Sequence, residues 1–128
     1  MIKKSFNEDI VKEKIGLAGC GNMGLPMLYS MLSKNIDAQG YDIDSRKSLS
    51  GLGEKFIDSK KKFLDDRQII ISVVRDATDT LELCQGRNGL FEQKSNKILI
   101  ISSTLSPRFL MDLKSKACLL YTSDAADE

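Results

Sequence analysis

Short apolar runs and amphipathic stretches alternate along the chain. Lys14–Ala18 is a mostly apolar run that stops at glycines, which is typical of a buried parallel strand. From Asn22 to Lys34, apolar residues recur at helical spacing and predict a helix with one stripe that packs on a sheet. Ile36–Tyr41 is a second short strand. The first part of the chain is therefore predicted to form one βαβ unit.

The alternation continues after a linker rich in Ser and Gly, from Lys47 to Gly53. Strands that alternate with helices specify a parallel sheet with helices on both faces. The sheet is expected to end after about strand five and the helix that follows it. The remaining predicted elements are a short strand at Lys55–Ile57, a helix at Ser59–Asp66, a buried β-branched strand at Gln68–Val74, a helix from a cap at Asp76 to about Cys84, a strand at Lys97–Ser102, and a helix from Pro107 through Lys116.

Composition places the chain among folded soluble modules. Its 128 residues are about one domain long, and 41% hydrophobic with 29% charged residues is ordinary for a globular protein. The net charge of +1 gives no electrostatic footprint for nucleic acid, and Lys60-Lys61-Lys62 is interpreted as a solvated helix face. No signal peptide core or membrane-length apolar run occurs. We expect a cytoplasmic protein with neither nucleic-acid nor membrane partners.

The three cysteines do not form a recognisable metal or disulfide pattern. Cys20, Cys84 and Cys118 are widely and irregularly spaced, and the chain has no histidine to complete a zinc site. We predict reduced thiols and no metal.

The last eleven residues, 118–128, resemble the translation of a sequencing-library adapter. Such a segment is excluded from fold reasoning. The expected organisation is a leader at 1–14, a dinucleotide-binding domain at 15–117 that is incomplete at its C-terminus, and a non-native tail at 118–128. A genuine polar tail is the alternative.

The run Gly19-Cys20-Gly21-Asn22-Met23-Gly24 separates the first predicted strand from the first helix. Unpaired N–H groups and a partial positive charge at a helix start can bind a pyrophosphate. The first glycine allows the tight turn, the second lets phosphates reach the backbone, and the third lets helix and strand pack closely. The turn is typical of a Rossmann-type fold. Its predicted cofactor-binding residues are Gly19, Gly21, Asn22, Met23 and Gly24.

Asp42 follows this turn by about 20 positions, at the end of the second predicted strand. A carboxylate there can accept hydrogen bonds from the adenosine ribose, and it repels a 2′-phosphate, so NAD is favoured. NADP stays possible, because Arg46 and Lys47 can receive a phosphate if the loop folds back.

Two other interpretations of the turn and Asp42 stay open. The glycines can form only a tight βα turn, with Asp42 as a strand-end cap. Methyltransferases also place an acid after strand two, but their G-x-G-x-G pattern would put glycine at Met23.

With Leu25-Pro26-Met27 and Lys34, the turn closely resembles the β-hydroxyacid dehydrogenases, the family of 3-hydroxyisobutyrate dehydrogenase and 6-phosphogluconate dehydrogenase. Met23 before the third glycine is the distinctive residue. The segment Ser103-Thr104-Leu105-Ser106-Pro107 resembles the family's substrate-side S-T-x-S-P motif. The resemblance extends over Ile15–Lys116 and implies a doubly wound α/β Rossmann fold.

The resemblance implies an oxidoreductase that oxidises a hydroxyl β to a carboxylate and passes hydride to a nicotinamide. Ser103 would help to hold the carboxylate of a small β-hydroxyacid, while Thr104 and the strand end Val73-Val74-Arg75 would flank the nicotinamide side. The simpler alternatives are a helix cap at Ser103 and Thr104 and a merely exposed Arg75. We expect the full-length parent to be a homo-oligomer.

The sequence also departs from the family pattern. Ile101 stands where the family often has aspartate and Ile36 where it often has glycine, which leaves the substrate open. The family's catalytic lysine lies beyond this end point, so no catalytic residue is assigned and the chain is expected to bind dinucleotide without turnover. An uncovered Ile98–Ile101 edge would favour aggregation. The alternatives are a non-catalytic dinucleotide-sensing module and an imine or aldehyde reductase of the same build.

Overall fold

The computed structural model describes residues 13–44, 51–93 and 97–120, with side chains as far as residue 117 in the last range. Within these ranges one parallel sheet has the strand order β2-β1-β3-β4. The chain runs from the central strand β1 to one side and then crosses to the other. The carboxyl ends of β1 and β3 therefore flank a switch point, which is where ligands bind in open α/β sheets. The strands are β1 (Ile15–Ala18), β2 (Ala38–Tyr41), β3 (Ile69–Ser72) and β4 (Ile98–Ile101).

The helices begin where the sequence supplies caps or a glycine turn. Ser59 Oγ accepts a hydrogen bond from the Lys62 amide, and Asp76 accepts one from the Asp79 amide, each at the start of a helix. Two 3₁₀ helices lie at Gly53–Lys55 and Leu90–Glu92. The α-helices are α1 (Gly24–Ser33), α2 (Lys60–Asp66), α3 (Ala77–Gln85) and α4 (Pro107–Leu120).

Two apolar cores cover the two faces of the sheet. Leu17 of β1 packs with Leu28 of α1 in one core, and the neighbouring Ala18 packs with Phe63 and Leu83 in the other. Successive strand residues point to opposite faces, which explains why adjacent residues enter different cores. The predicted doubly wound α/β sheet is therefore confirmed.

One predicted strand is wrong. In place of a strand at Lys55–Ile57, a 3₁₀ helix ends at Lys55 and Phe56 forms an isolated parallel bridge with Gly40. The Phe56 side chain is buried in the α1-side core, so the segment packs beneath that helix after a single bridge. The predicted fifth strand is accordingly the fourth strand of the described sheet.

The last helix also differs from its prediction. Helix α4 continues past Lys116 to Leu120, so its backbone enters the segment assigned to a non-native tail. Among the described residues, no helix combines the length and apolar character needed to cross a membrane.

Candidate functional site

The three glycines of the turn have different surroundings. Gly19 has a φ of +103°, and a Cβ there would lie 2.7 Å from the Val73 carbonyl oxygen. A Cβ at Gly24 would collide with the Gly19 carbonyl oxygen. A Cβ at Gly21, by contrast, would meet nothing within 4 Å. The fold requires glycine at the first and third positions, whereas the space over the second is open for a ligand.

No side chain caps the start of helix α1, which begins at this turn. Met23 is the N-cap residue and makes no side-chain capping bond, and the first turn of the helix contains no acidic residue. The Leu25 amide bonds back to the Gly21 carbonyl at 3.0 Å, which closes the turn. The remaining amides and the helix dipole suit an anion, so the residues present fit a pyrophosphate.

Asp42 is fixed above the turn by two backbone amides. The Cys20 amide donates to Oδ2 at 2.8 Å, and the Asp44 amide donates to Oδ1 at 2.9 Å. A carboxylate has about four acceptor positions, so these two bonds leave capacity for ribose hydroxyls. The structure thus places the acid predicted to bind ribose directly beside the glycine turn.

A cleft of about 470 Å³ opens at the carboxyl ends of β1, β2 and β3. Five of the predicted cofactor-binding residues line it: Gly19, Gly21, Asp42, Val74 and Arg75. Asn22 and Met23 are exposed beside it in the turn, and Gly24 is buried beneath the start of α1. The sheet therefore brings together residues that lie more than 50 positions apart in the chain.

A family model confirms what the geometry indicates. The NAD binding domain of 6-phosphogluconate dehydrogenase matches residues 14–118. This chain belongs to that family. The mitochondrial 3-hydroxyisobutyrate dehydrogenases of Homo sapiens and Bos taurus are each 29% identical over 105 residues, which cover 80% of this chain and 31% of theirs. The chain thus spans about a third of the length of these relatives, and the resemblance seen in its motifs is confirmed.

Solved structures show the same fold. A variant imine reductase from Myxococcus stipitatus in complex with NAD+ has a TM-score of 0.74 at 18% identity, covering 84% of this chain and 38% of that one. The imine reductase of the same organism in complex with NADP+ has a TM-score of 0.73 at 17% identity, with coverages of 84% and 37%. Mycobacterium tuberculosis 3-hydroxyisobutyrate dehydrogenase with L-serine has a TM-score of 0.70 at 20% identity, with the same coverages.

In this NAD-binding domain, the two serines of the S-T-x-S-P segment make different contacts. Ser103 Oγ donates to the Val74 carbonyl at 2.6 Å and links the ends of β3 and β4. Ser106 caps α4, because its Oγ accepts a hydrogen bond from the Phe109 amide at 3.1 Å. The alternative of a helix cap at Ser103 and Thr104 is therefore wrong, since the cap lies one turn nearer the helix.

Arg75 lies at the mouth of the cleft. Its side chain is 87% exposed, and its Nε donates to Asp79 at 3.3 Å across one turn. Arg75 is thus exposed, as the simpler alternative expects, and it also lines the cleft, while its place beside the nicotinamide stays a prediction. Arg46 and Lys47, which bear on a 2′-phosphate, lie outside the described residues.

Lys60 also lines the cleft of this domain, although the sequence prediction placed it on a solvated face. That prediction is right for Lys61, which is 64% exposed and pairs with Asp65, and wrong for Lys60, which is 11% exposed. Lys60 precedes the buried Phe63 and Leu64 by three and four positions, so all three share one helix face. This spacing is the signal that would have identified Lys60.

Two groups near the cleft, the half-buried Tyr41 phenol and the buried Cys84 thiol, have raised pKa values. Burial, and then the negative charges of Glu82 and Asp42, raise the pKa of the Tyr41 phenol, whose ring stacks on Phe63. Burial raises the pKa of the Cys84 thiol to about 11. Cys20 is buried as well, and the described side chains include neither a disulfide nor a group of metal ligands. The Cys118 side chain lies outside the described residues.

Proposed function

We propose that this chain binds a nicotinamide dinucleotide as the cofactor domain of a longer oxidoreductase. The observation that carries the proposal is the open space over Gly21 at the uncapped start of α1, with Asp42 held beside it. The match to an NAD binding domain and the coverage of 31% of the relatives' length support it. When bound, the nicotinamide would accept or release a hydride.

The proposal assigns roles to several of the predicted cofactor-binding residues. Amides around Gly21 and Asn22 would bind the pyrophosphate, and Asp42 would accept hydrogen bonds from the adenosine ribose. Val74 and Arg75 would flank the cofactor from the end of β3. Met23 and Thr104 are both exposed and are the remaining residues proposed to contact the cofactor.

We propose NAD as the preferred cofactor and NADP as the alternative. Among the described residues, the cleft wall carries Asp42, Asp44, Asp79 and Glu82, so carboxylates there outnumber the cations Lys60 and Arg75. A 2′-phosphate beside Asp42 would meet like charge, which costs binding free energy. The solved structures include an imine reductase with NAD+ and one with NADP+.

The proposed substrate of the full-length parent is a small β-hydroxyacid, whose carboxylate Ser103 would help to hold. The bond from Ser103 Oγ to the Val74 carbonyl bears on this role. To donate to a substrate carboxylate, the hydroxyl must turn away from that carbonyl. Reduction of an imine or aldehyde is the second candidate function. Those substrates need no carboxylate partner, so Ser103 could keep its bond to the Val74 carbonyl.

We also propose that the parent is a cytoplasmic homo-oligomer without nucleic-acid or membrane partners. The net charge of +1 supports the absence of a nucleic-acid partner. Light scattering of the full-length parent measures the oligomeric state.

Fluorescence titration with NADH and NADPH tests the cofactor proposal. We expect NADH to bind more tightly, and Asp42→Ala to weaken NADH binding about tenfold because a charged acceptor is lost. The affinity for NADPH should fall less, since the same substitution also removes the repulsion between Asp42 and the 2′-phosphate. Asp112→Ala on the exposed surface of α4 is the matched control.

Absence of NADH binding to the wild-type chain would overturn the function, and tighter NADPH binding would overturn the preference. Hydride transfer is measured on the uninterrupted full-length protein, with β-hydroxyacids and NAD or with imines and NADPH. Turnover of imines alone would establish the second candidate. Tight cofactor binding without any turnover would identify a nucleotide-sensing module.

A further inference from the structure

An ion pair between a nearly buried lysine and an exposed glutamate lines the cleft beyond the glycine turn. Lys60 is the first residue of α2, and Glu82 lies on α3. Lys60 Nζ donates to the Glu82 backbone oxygen at 2.6 Å and to its Oε1 at 3.2 Å. The Lys60 side chain is 11% exposed and that of Glu82 is 57% exposed, so the carboxylate is the accessible end of the pair.

The pair lines the same cleft as Asp42, so a base attached to a ribose at Asp42 would share this space with it. Tyr41 is the last residue of β2 and Asp42 follows it, and the negative charges of both Asp42 and Glu82 act on the Tyr41 phenol. Ile43 and Leu83 contribute apolar wall to the same cleft. A cavity with apolar walls and a few polar groups at one end suits a flat heteroaromatic ring with a polar edge.

The chemistry of the pair fits one class of base. Glu82 accepts one bond from Lys60, and a carboxylate has acceptor capacity for more. A 6-aminopurine offers N–H donors at its exocyclic nitrogen, whereas a 6-oxopurine places a carbonyl oxygen there, which a carboxylate repels. Lys60 also balances the charge of Glu82, so the pair adds little repulsion toward a ligand that carries a pyrophosphate.

We propose that Glu82 accepts a hydrogen bond from the 6-amino group of the cofactor's purine base and thereby selects adenine. Lys60 is the positioning residue that holds the Glu82 carboxylate at the cleft. The inference rests on the dinucleotide binding proposed above, and it assigns base specificity to a pair outside the glycine turn.

The test compares NADH with reduced nicotinamide hypoxanthine dinucleotide, which carries a 6-oxopurine in place of adenine. Fluorescence titration of the wild-type chain should show about a tenfold preference for NADH, the size expected for one hydrogen bond to a charged group. Glu82→Gln should reduce the preference to about twofold or less, because a carboxamide can turn to donate to the carbonyl oxygen. Lys60→Met should change the preference in the same direction.

Lys61→Met and Glu54→Gln are the matched controls, since both side chains are exposed, and neither should alter the ratio. The ratio of two affinities on one protein cancels any loss of folded material, and Glu82→Gln decides the question if Lys60→Met does not fold. Equal binding of both dinucleotides by the wild type would overturn the proposal. An unchanged ratio in Glu82→Gln would overturn it as well. A wild-type chain that binds neither dinucleotide would refute the proposed function itself.

Discussion

At the scale of single residues, Gly21 and Gly24 belong to one motif but fill different roles. A side chain at Gly24 would press on the Gly19 carbonyl, where α1 packs against the end of β1, whereas one at Gly21 would project into open space. Gly21 also lacks the positive φ that Gly19 has. Glycine at position 24 is therefore needed for folding, whereas glycine at position 21 leaves room for the ligand.

Gly21→Val should therefore leave stability close to that of the wild type and abolish NADH binding, because the valine would occupy the phosphate approach. Thermal melting and NADH titration of the same sample check both parts. Gly24→Ala is the contrasting variant and should lose about 1–3 kcal/mol of unfolding free energy through overpacking. Wild-type affinity for NADH in Gly21→Val would show that the phosphates bind elsewhere.

At the scale of secondary structure, the caps decide where the helices start and which residues face the cleft. Asp76 follows β3, and its carboxylate accepts a hydrogen bond from the Asp79 amide at 3.0 Å. Helix α3 starts from this cap, and both Asp79 and Glu82 line the cleft. The cap at Asp76 thus helps to position the two carboxylates of α3 that line the cleft.

Asp76→Ala should lower the unfolding free energy by about 1 kcal/mol, because one amide at the start of α3 loses its acceptor. Asp76→Asn retains a capping oxygen and should stay near the wild type. Urea denaturation of the three proteins measures the difference. Equal stability of Asp76→Ala and Asp76→Asn would argue against the cap.

At the scale of the whole molecule, the described structure buries only part of the sheet face that packs against α1. Leu17 of β1 and Leu28 of α1 are fully buried, but Ile98 and Ile100 of β4 are 60% and 46% exposed. Ile100 pairs in register with Ile71, so both belong to that face. Contiguous exposed apolar residues on an outer strand favour association between chains.

Ile100→Thr should reduce aggregation of this chain, because it replaces an exposed apolar side chain with a polar one. Stability should fall little, since threonine keeps a high β-strand propensity. Light scattering across a range of protein concentrations measures the effect. Ile70→Thr, at a fully buried position of β3, should instead destabilise the fold. A wild-type chain that stays monomeric at high concentration would contradict the expectation.

Local patterns were enough to predict most of the fold. The apolar runs around Ile15, Ile70 and Leu99 identified three strands, and Asp76 identified the start of α3, because strand burial and helix capping depend on residues close in sequence. The segment at Phe56 was predicted incorrectly. Its short apolar run resembles a strand, but packing in the α1-side core leaves it a single bridge to Gly40.

The sequence by itself determined the βαβ start, the glycine turn and the acid at Asp42, since each depends on a fixed local spacing. Only the tertiary structure decided how these groups meet. Asp42 bonds the Cys20 amide across 22 positions, and Lys60 reaches Glu82 across another 22. The first contact forms where parallel strands end side by side, and the second joins the two helices α2 and α3. No local pattern encodes which of these distant side chains will meet.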